Sequence, residues 1–155
     1  MIDPKELRIG SHVNLDNKRA KIVCLEPYSK IFPCSVEAHR CGLPTIYHLE
    51  DMHDLEPIPI TEELLTELGF EKVTLQTRPK PIIQYVDAES IKAQAEDLNV
   101  RVVPRITIQY INVTNPFWSV SAYGENMEDN RMAVRYLHEL EAFLYLTTKT
   151  ELIKE

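Results

Sequence analysis

Cys34, His39, Cys41, His48 and His53 stand in one stretch of the chain, and thiolate and imidazole are the ligands zinc prefers. Structural zinc sites present their cysteines about two to four residues apart on a tight knuckle. Here six residues separate Cys34 from Cys41, with His39 alone between them. That spacing favours a loop carrying small apolar thiols and surface histidines, so neither a metal nor another cofactor is expected. A thiol nucleophile needs an imidazole beside it, and nothing local selects one of Cys24, Cys34 or Cys41 for that role. The chain has no glycine-rich phosphate loop, serine elbow or helical paired-histidine motif, and its four glycines leave little material for a cofactor cradle. A non-enzymatic protein is the expectation.

Three further groups bear on binding. Glu50, Asp51, Asp54 and Glu56 surround His53. They offer hard oxygen ligands but lack the glycine-turned spacing of a calcium loop. They read as a solvated acidic surface that can dock a basic partner. Phe117 and Trp118, with Tyr110 and Tyr123, concentrate on one predicted strand pair. Aromatics there fill the space between sheet and helix; a Trp118 turned outward would anchor a protein interface instead. His138, beside an apolar helical stripe, reads as structural.

Composition sets the frame for these residues. The 155-residue chain is 44% hydrophobic and 26% charged, close to globular averages, and its longest apolar runs are only a few residues. Its first ten residues carry early charges and no apolar stretch of signal type. Three cysteines make an odd number, which argues for reduced thiols. A soluble cytoplasmic protein without membrane contact is expected. The net charge of −7 opposes generic nucleic-acid binding unless a local basic face outvotes it, and Arg101 and Arg105 alone do not form one.

The elements that must position these residues fall into two lobes. Residues 1–58 read as short strands, with apolar alternation at Leu7, Ile9 and Val13 and again at Ile22 and Cys24. Asp16-Asn17-Lys18 supplies turn chemistry, and Pro27, Pro33 and Pro44 keep later strands short. An SH3-like small β-barrel is expected. Pro57 and Pro59 lead into a second, α+β lobe over 59–155, opened by a capped linker helix at 61–69. Thr61 caps that helix, Glu62 and Glu63 complement its dipole, and Gly69 closes it. Strands are predicted around Val73–Leu75, over 82–86, 101–112 and 117–123, with a helix over about 88–98 capped by Asp87. A last helix, capped by Asp129 or Asn130, carries the stripe Ala133, Val134, Leu137, Leu140, Phe143 and Leu144. The fold class is therefore α+β: a small barrel followed by an antiparallel sheet packed against a C-terminal helix.

Three stretches carry a resemblance. Glu6–Gly10, Leu55–Leu65 continuing to Gly69-Phe70, and Tyr136–Glu141 with Thr148, Glu151 and Leu152 are together similar to a group of small proteins of Bacteroidetes phages and prophages without an assigned activity. The chain departs from that group at Leu64, where tryptophan is common, at Glu139 and Glu141, where amides are common, and at Lys149, in place of a glycine. The resemblance implies a phage or prophage accessory role inside a bacterial host. The expected function is binding to a host or phage protein, possible modulation of a host system included. A nucleic-acid-associated small-barrel module is the alternative, and an enzyme or zinc protein the third reading.

Overall fold

The computed structural model of the chain describes residues 2, 7–26, 33–40, 43–50, 52–77, 80–88, 105–123, 129–149 and 152. It is an α+β protein with two five-stranded antiparallel sheets and a C-terminal helix. The chain divides into two compact units, Met1–Pro59 with Tyr136–Ala142, and Ile60–Arg135 with Phe143–Glu155. Among the described residues, no helix is long and apolar enough to cross a membrane.

The first unit contains β1 (His12–Leu15), β2 (Lys18–Leu25), β3 (Cys34–Arg40), β4 (Leu43–Leu49) and β5 (Leu55–Glu56), ordered β4-β3-β2-β1-β5. A 3-10 turn at Met52–Asp54 precedes β5. Leu15 pairs with Lys18, so Asp16 and Asn17 form a two-residue hairpin loop. Both have positive φ, 51° and 60°, as a type I′ turn requires, and these two residue types tolerate that region best after glycine. Val13, Leu15, Ala20, Ile22, Val36 and Leu55 build the core with Cys34 and Leu49. Among the described residues no closed barrel forms: β4 and β5 are the two edges of an open sheet. The alternation expected through Ile22 and Cys24 is also broken. A register shift between them sets Cys24 opposite Ser35 and Leu25 opposite Cys34, because a β-bulge adds one residue and re-aims the side chains beyond it.

The second unit contains α1 (Glu62–Glu67), β6 (Phe70–Leu75), β7 (Ile82–Asp87), β8 (Ile106–Ile111), β9 (Phe117–Tyr123) and β10 (Asp129–Val134), with the strands ordered β10-β9-β8-β7-β6. Helix α1 has the caps its sequence predicts. Thr61 Oγ1 accepts from the Leu64 N–H at 3.2 Å, and Gly69 adopts φ 88°. Leu64 and Leu65 are buried, and α1 packs on β6. Tyr85, Ile106, Ile108, Trp118, Val120 and Ala122 are buried among the strands. Asp87 ends β7, and its carboxylate accepts from the Ile106 N–H at 2.9 Å. Residues 89–98 of the helix predicted over 88–98, and the strand residues 101–104, lie outside the described residues.

The last helix, α2 (Leu137–Thr148), starts later than expected. Asp129–Val134 form β10, so Asp129 and Asn130 cap no helix, and Ala133 and Val134 belong to a strand whose register with β9 is unbroken. The cap comes from Glu139, whose carboxylate accepts from the Tyr136 N–H at 3.1 Å, one half of a capping box. At the far end, Arg105 donates to the Thr148 carbonyl at 2.9 Å, placing a cation at the negative helix terminus. Lys149 follows with φ 56°, and its N–H bonds the Tyr145 carbonyl at 3.1 Å.

This left-handed position favours glycine, and a side chain there costs about 1 kcal/mol. Lys149→Gly should therefore raise unfolding stability by about 0.5–1 kcal/mol, read as a higher denaturant midpoint at unchanged slope; equal or lower stability would contradict the assignment.

Candidate functional site

The residues able to do chemistry gather on the first unit. On β3 the side chains alternate, so Cys34, Val36 and Ala38 point inward and are buried, while Ser35, Glu37 and His39 take the opposite face. Ser35 lies between two cross-strand neighbours, Cys24 on β2 and His48 on β4. Its hydroxyl and His48 Nδ1 are 2.8 Å apart and share a hydrogen bond. Cys24 Sγ lies 3.8 Å from Glu26 Oε1. The bulge on β2 thus assembles a Cys24–Ser35–His48 row that the plain strand pattern does not.

This row does not make a metal centre with the other candidates. His39 pairs with Pro44 and sits four residues along β3 from Ser35, about 13 Å away at strand rise. Cys34 faces the core. His53 is exposed on the 3-10 turn, and Cys41 lies outside the described residues. Among the described residues, no group of three or more histidine, cysteine, aspartate or glutamate side chains could hold a metal ion. Burial pushes the Cys34 thiol up to about 11, with Cys24 contributing in the same direction.

The binding candidates separate by exposure. Trp118 is 6% exposed, donates its indole N–H to the Ile60 carbonyl at 3.0 Å and meets Tyr85 edge-on at 5.8 Å. Its ring serves the interior of the second unit. Phe117 is half-buried, whereas Glu50, Asp54 and Glu56 are exposed; Asp51 lies outside the described residues. Edge strand β4, immediately before the acidic segment, exposes two large apolar side chains, Leu43 at 69% and Ile46 at 55%. His138 is buried on α2 and stacks on Tyr136 at 5.8 Å with the rings 6° from parallel.

One pair escapes a reading of local spacing. Glu141 on α2 is 3% exposed. Its Oε2 accepts the His12 backbone N–H at 2.8 Å, and its Oε1 lies 2.6 Å from His12 Nδ1. A carboxylate only accepts, so Nδ1 carries the proton in this contact. The partners are 129 residues apart in sequence, which hides the pair from any motif search. The available signal was Glu141 itself, which lies four residues after Leu137 and three before Leu144, inside the apolar stripe. An acid there needs a buried partner. No family model, curated protein or solved structure matches the chain.

Glu141→Ala should destabilise the protein by about 2–4 kcal/mol, because two donors lose a buried acceptor, while Glu141→Gln, which keeps an acceptor oxygen, should cost markedly less; equal losses in denaturant unfolding would contradict the geometry. A rise from 9.0 to about 11 leaves roughly a hundredfold less thiolate at neutral pH. Site-resolved mass spectrometry after alkylation at pH 8 should find Cys24 modified well before Cys34, and the reverse order would refute this placement.

Proposed function

We propose that this chain is a non-enzymatic accessory protein of a phage or prophage, acting in the host cytoplasm by binding a protein through edge strand β4 of its first unit. The observation that carries the reading is the exposure of Leu43 and Ile46 on a strand that, among the described residues, has a neighbour on one side only. An edge strand can accept an extended segment by backbone pairing, with side-chain pockets adding specificity. Beyond Pro44, which offers no N–H, Thr45–Leu49 provide that edge.

The first unit reads as an SH3-like module. In support, the strands follow one another as a meander, the last returns to pair with the first, and a 3-10 turn precedes it. The bulge in β2 supplies the bend such a sheet needs. Charge indicates the partner's chemistry. Glu50, Asp54 and Glu56 are exposed beyond the end of β4, within a chain of net charge −7. The partner is then a host or phage protein offering an extended segment in which apolar side chains adjoin basic ones.

Affinity capture from host lysate with the wild type and with Ile46→Asp and Glu50→Lys/Asp54→Lys variants tests this. A protein held by the wild type should be lost at least tenfold with Ile46→Asp, and the charge-reversed variant should lose it most at low salt; circular dichroism should show all three folded. Equal retention by Ile46→Asp, or no protein retained by the wild type, would overturn the reading. Retention of nucleic acid alone, weakening steeply with salt, would transfer the assignment to a nucleic-acid module.

A further inference from the structure

Strand β10 closes one side of the second sheet, and the direction of its backbone groups is set by its neighbour. The Tyr123 N–H donates to the Arg105 carbonyl on the β8 side. In an antiparallel ladder a residue's N–H and C=O point the same way and alternate along the strand. The odd residues of β9 therefore face β8, and Trp118, Val120 and Ala122 face β10. Their partners there are Val134, Met132 and Asn130. That leaves the backbone groups of Asp129, Arg131 and Ala133 directed away from the sheet. Arg135 continues the series, and its carbonyl accepts from the Ile60 N–H at 3.0 Å, which agrees with this direction. Among the described residues, nothing pairs with the backbone of Asp129, Arg131 or Ala133 on that side.

Edge strands are commonly protected from association by shortness, proline, bulges or charged side chains. Strand β10 has six residues in unbroken register with β9, no proline and no bulge. Met132 is 43% exposed. Its two charged residues have opposite signs and lie two positions apart: Arg131 donates to Asp129 at 2.7 and 2.9 Å. Hydrogen bonds from Arg131 and then Ser121 hold the Asp129 carboxyl below the usual carboxylate range, so it is charged at neutral pH.

We propose that β10 pairs antiparallel with β10 of a second copy, joining two five-stranded sheets into one ten-stranded sheet about a two-fold axis. Direction and charge together select the register. Only registers that set odd residues opposite odd residues close a ladder. Centring on Arg131 places guanidinium opposite guanidinium, a repulsive pair. Centring on Met132 draws in Arg135, whose carbonyl Ile60 already occupies. Centring on Asn130 places Asp129 opposite Arg131 of the second copy, and the symmetry repeats the attraction; within the strand Asp129–Val134 this ladder runs over residues 129–131. The pairing surface is small against the roughly 1,200–2,000 Å² of standard interfaces, so association should be concentration-dependent.

Sedimentation equilibrium from micromolar protein to about 1 mM tests the proposal. The wild type should pass from monomer to dimer over this range. Arg131→Asp, which sets acid against acid, should weaken dimerisation at least tenfold, and the exchanged variant Asp129→Arg/Arg131→Asp should restore it to within about threefold. Thermal unfolding of dilute samples establishes that the variants are folded. A wild type that stays monomeric throughout, or a dimer indifferent to Arg131→Asp, would overturn the proposal. Failure of the exchanged variant to recover while folded would overturn the Asn130-centred register.

Discussion

The buried carboxylate of Glu141 constrains the first unit through directional contacts of a kind that apolar packing does not supply. A carboxylate removed from water costs several kcal/mol unless hydrogen bonds replace its hydration. Both oxygens are engaged by one residue, His12, through its backbone N–H and its ring. Neither bond survives a rotation of the helix by one residue, about 100°, so the pair fixes the phase of Tyr136–Ala142 against β1. The neighbouring turn is tied in the same way, since the Leu137 N–H donates to the Ile58 carbonyl at 2.9 Å. Both contacts are directional, whereas the burial of Leu137 and Leu140 would tolerate slippage.

In the second unit the corresponding constraint is the sheet register. Trp118 occupies a strand position opposite both Tyr110 and Val134, and its indole N–H has a buried acceptor in Ile60. A slip by one residue would turn this ring to the other face and leave that donor without its acceptor. Lys72 and Glu62 form an ion pair of 2.8 Å across α1 and β6, and Lys72 holds the Glu62 carboxyl below its ordinary range. Both side chains are well exposed, so water screens the pair and the apolar face of α1 decides the packing.

Parts of this arrangement are legible in sequence where a local rule governs. Thr61, two following glutamates and Gly69 bracket α1 because caps and dipole act within a single turn. Asp16-Asn17 marks its hairpin for the same reason. The start of α2 is not legible in the same way: Ala133 and Val134 fit a helical stripe as well as a strand, and the pairing with Trp118 and Ser119 decides between them. The β2 bulge is likewise a property of two strands together, so the placement of Cys24 beside Ser35 cannot be read from β2 alone. His12 looks unremarkable until a residue 129 positions away reaches it. Lys149 is informative in the opposite direction, since its backbone conformation is the one a glycine would occupy without strain.

Among the described residues, Cys34 and the His12–Glu141 pair belong to the framework of the first unit. Residues kept for chemistry commonly reduce stability, whereas framework pairs add to it. A double-mutant cycle on His12 and Glu141, using alanine at each position and unfolding free energies, distinguishes the two. A favourable coupling of about 1–3 kcal/mol is expected. Additivity within about 0.5 kcal/mol, or a more stable double variant, would contradict it.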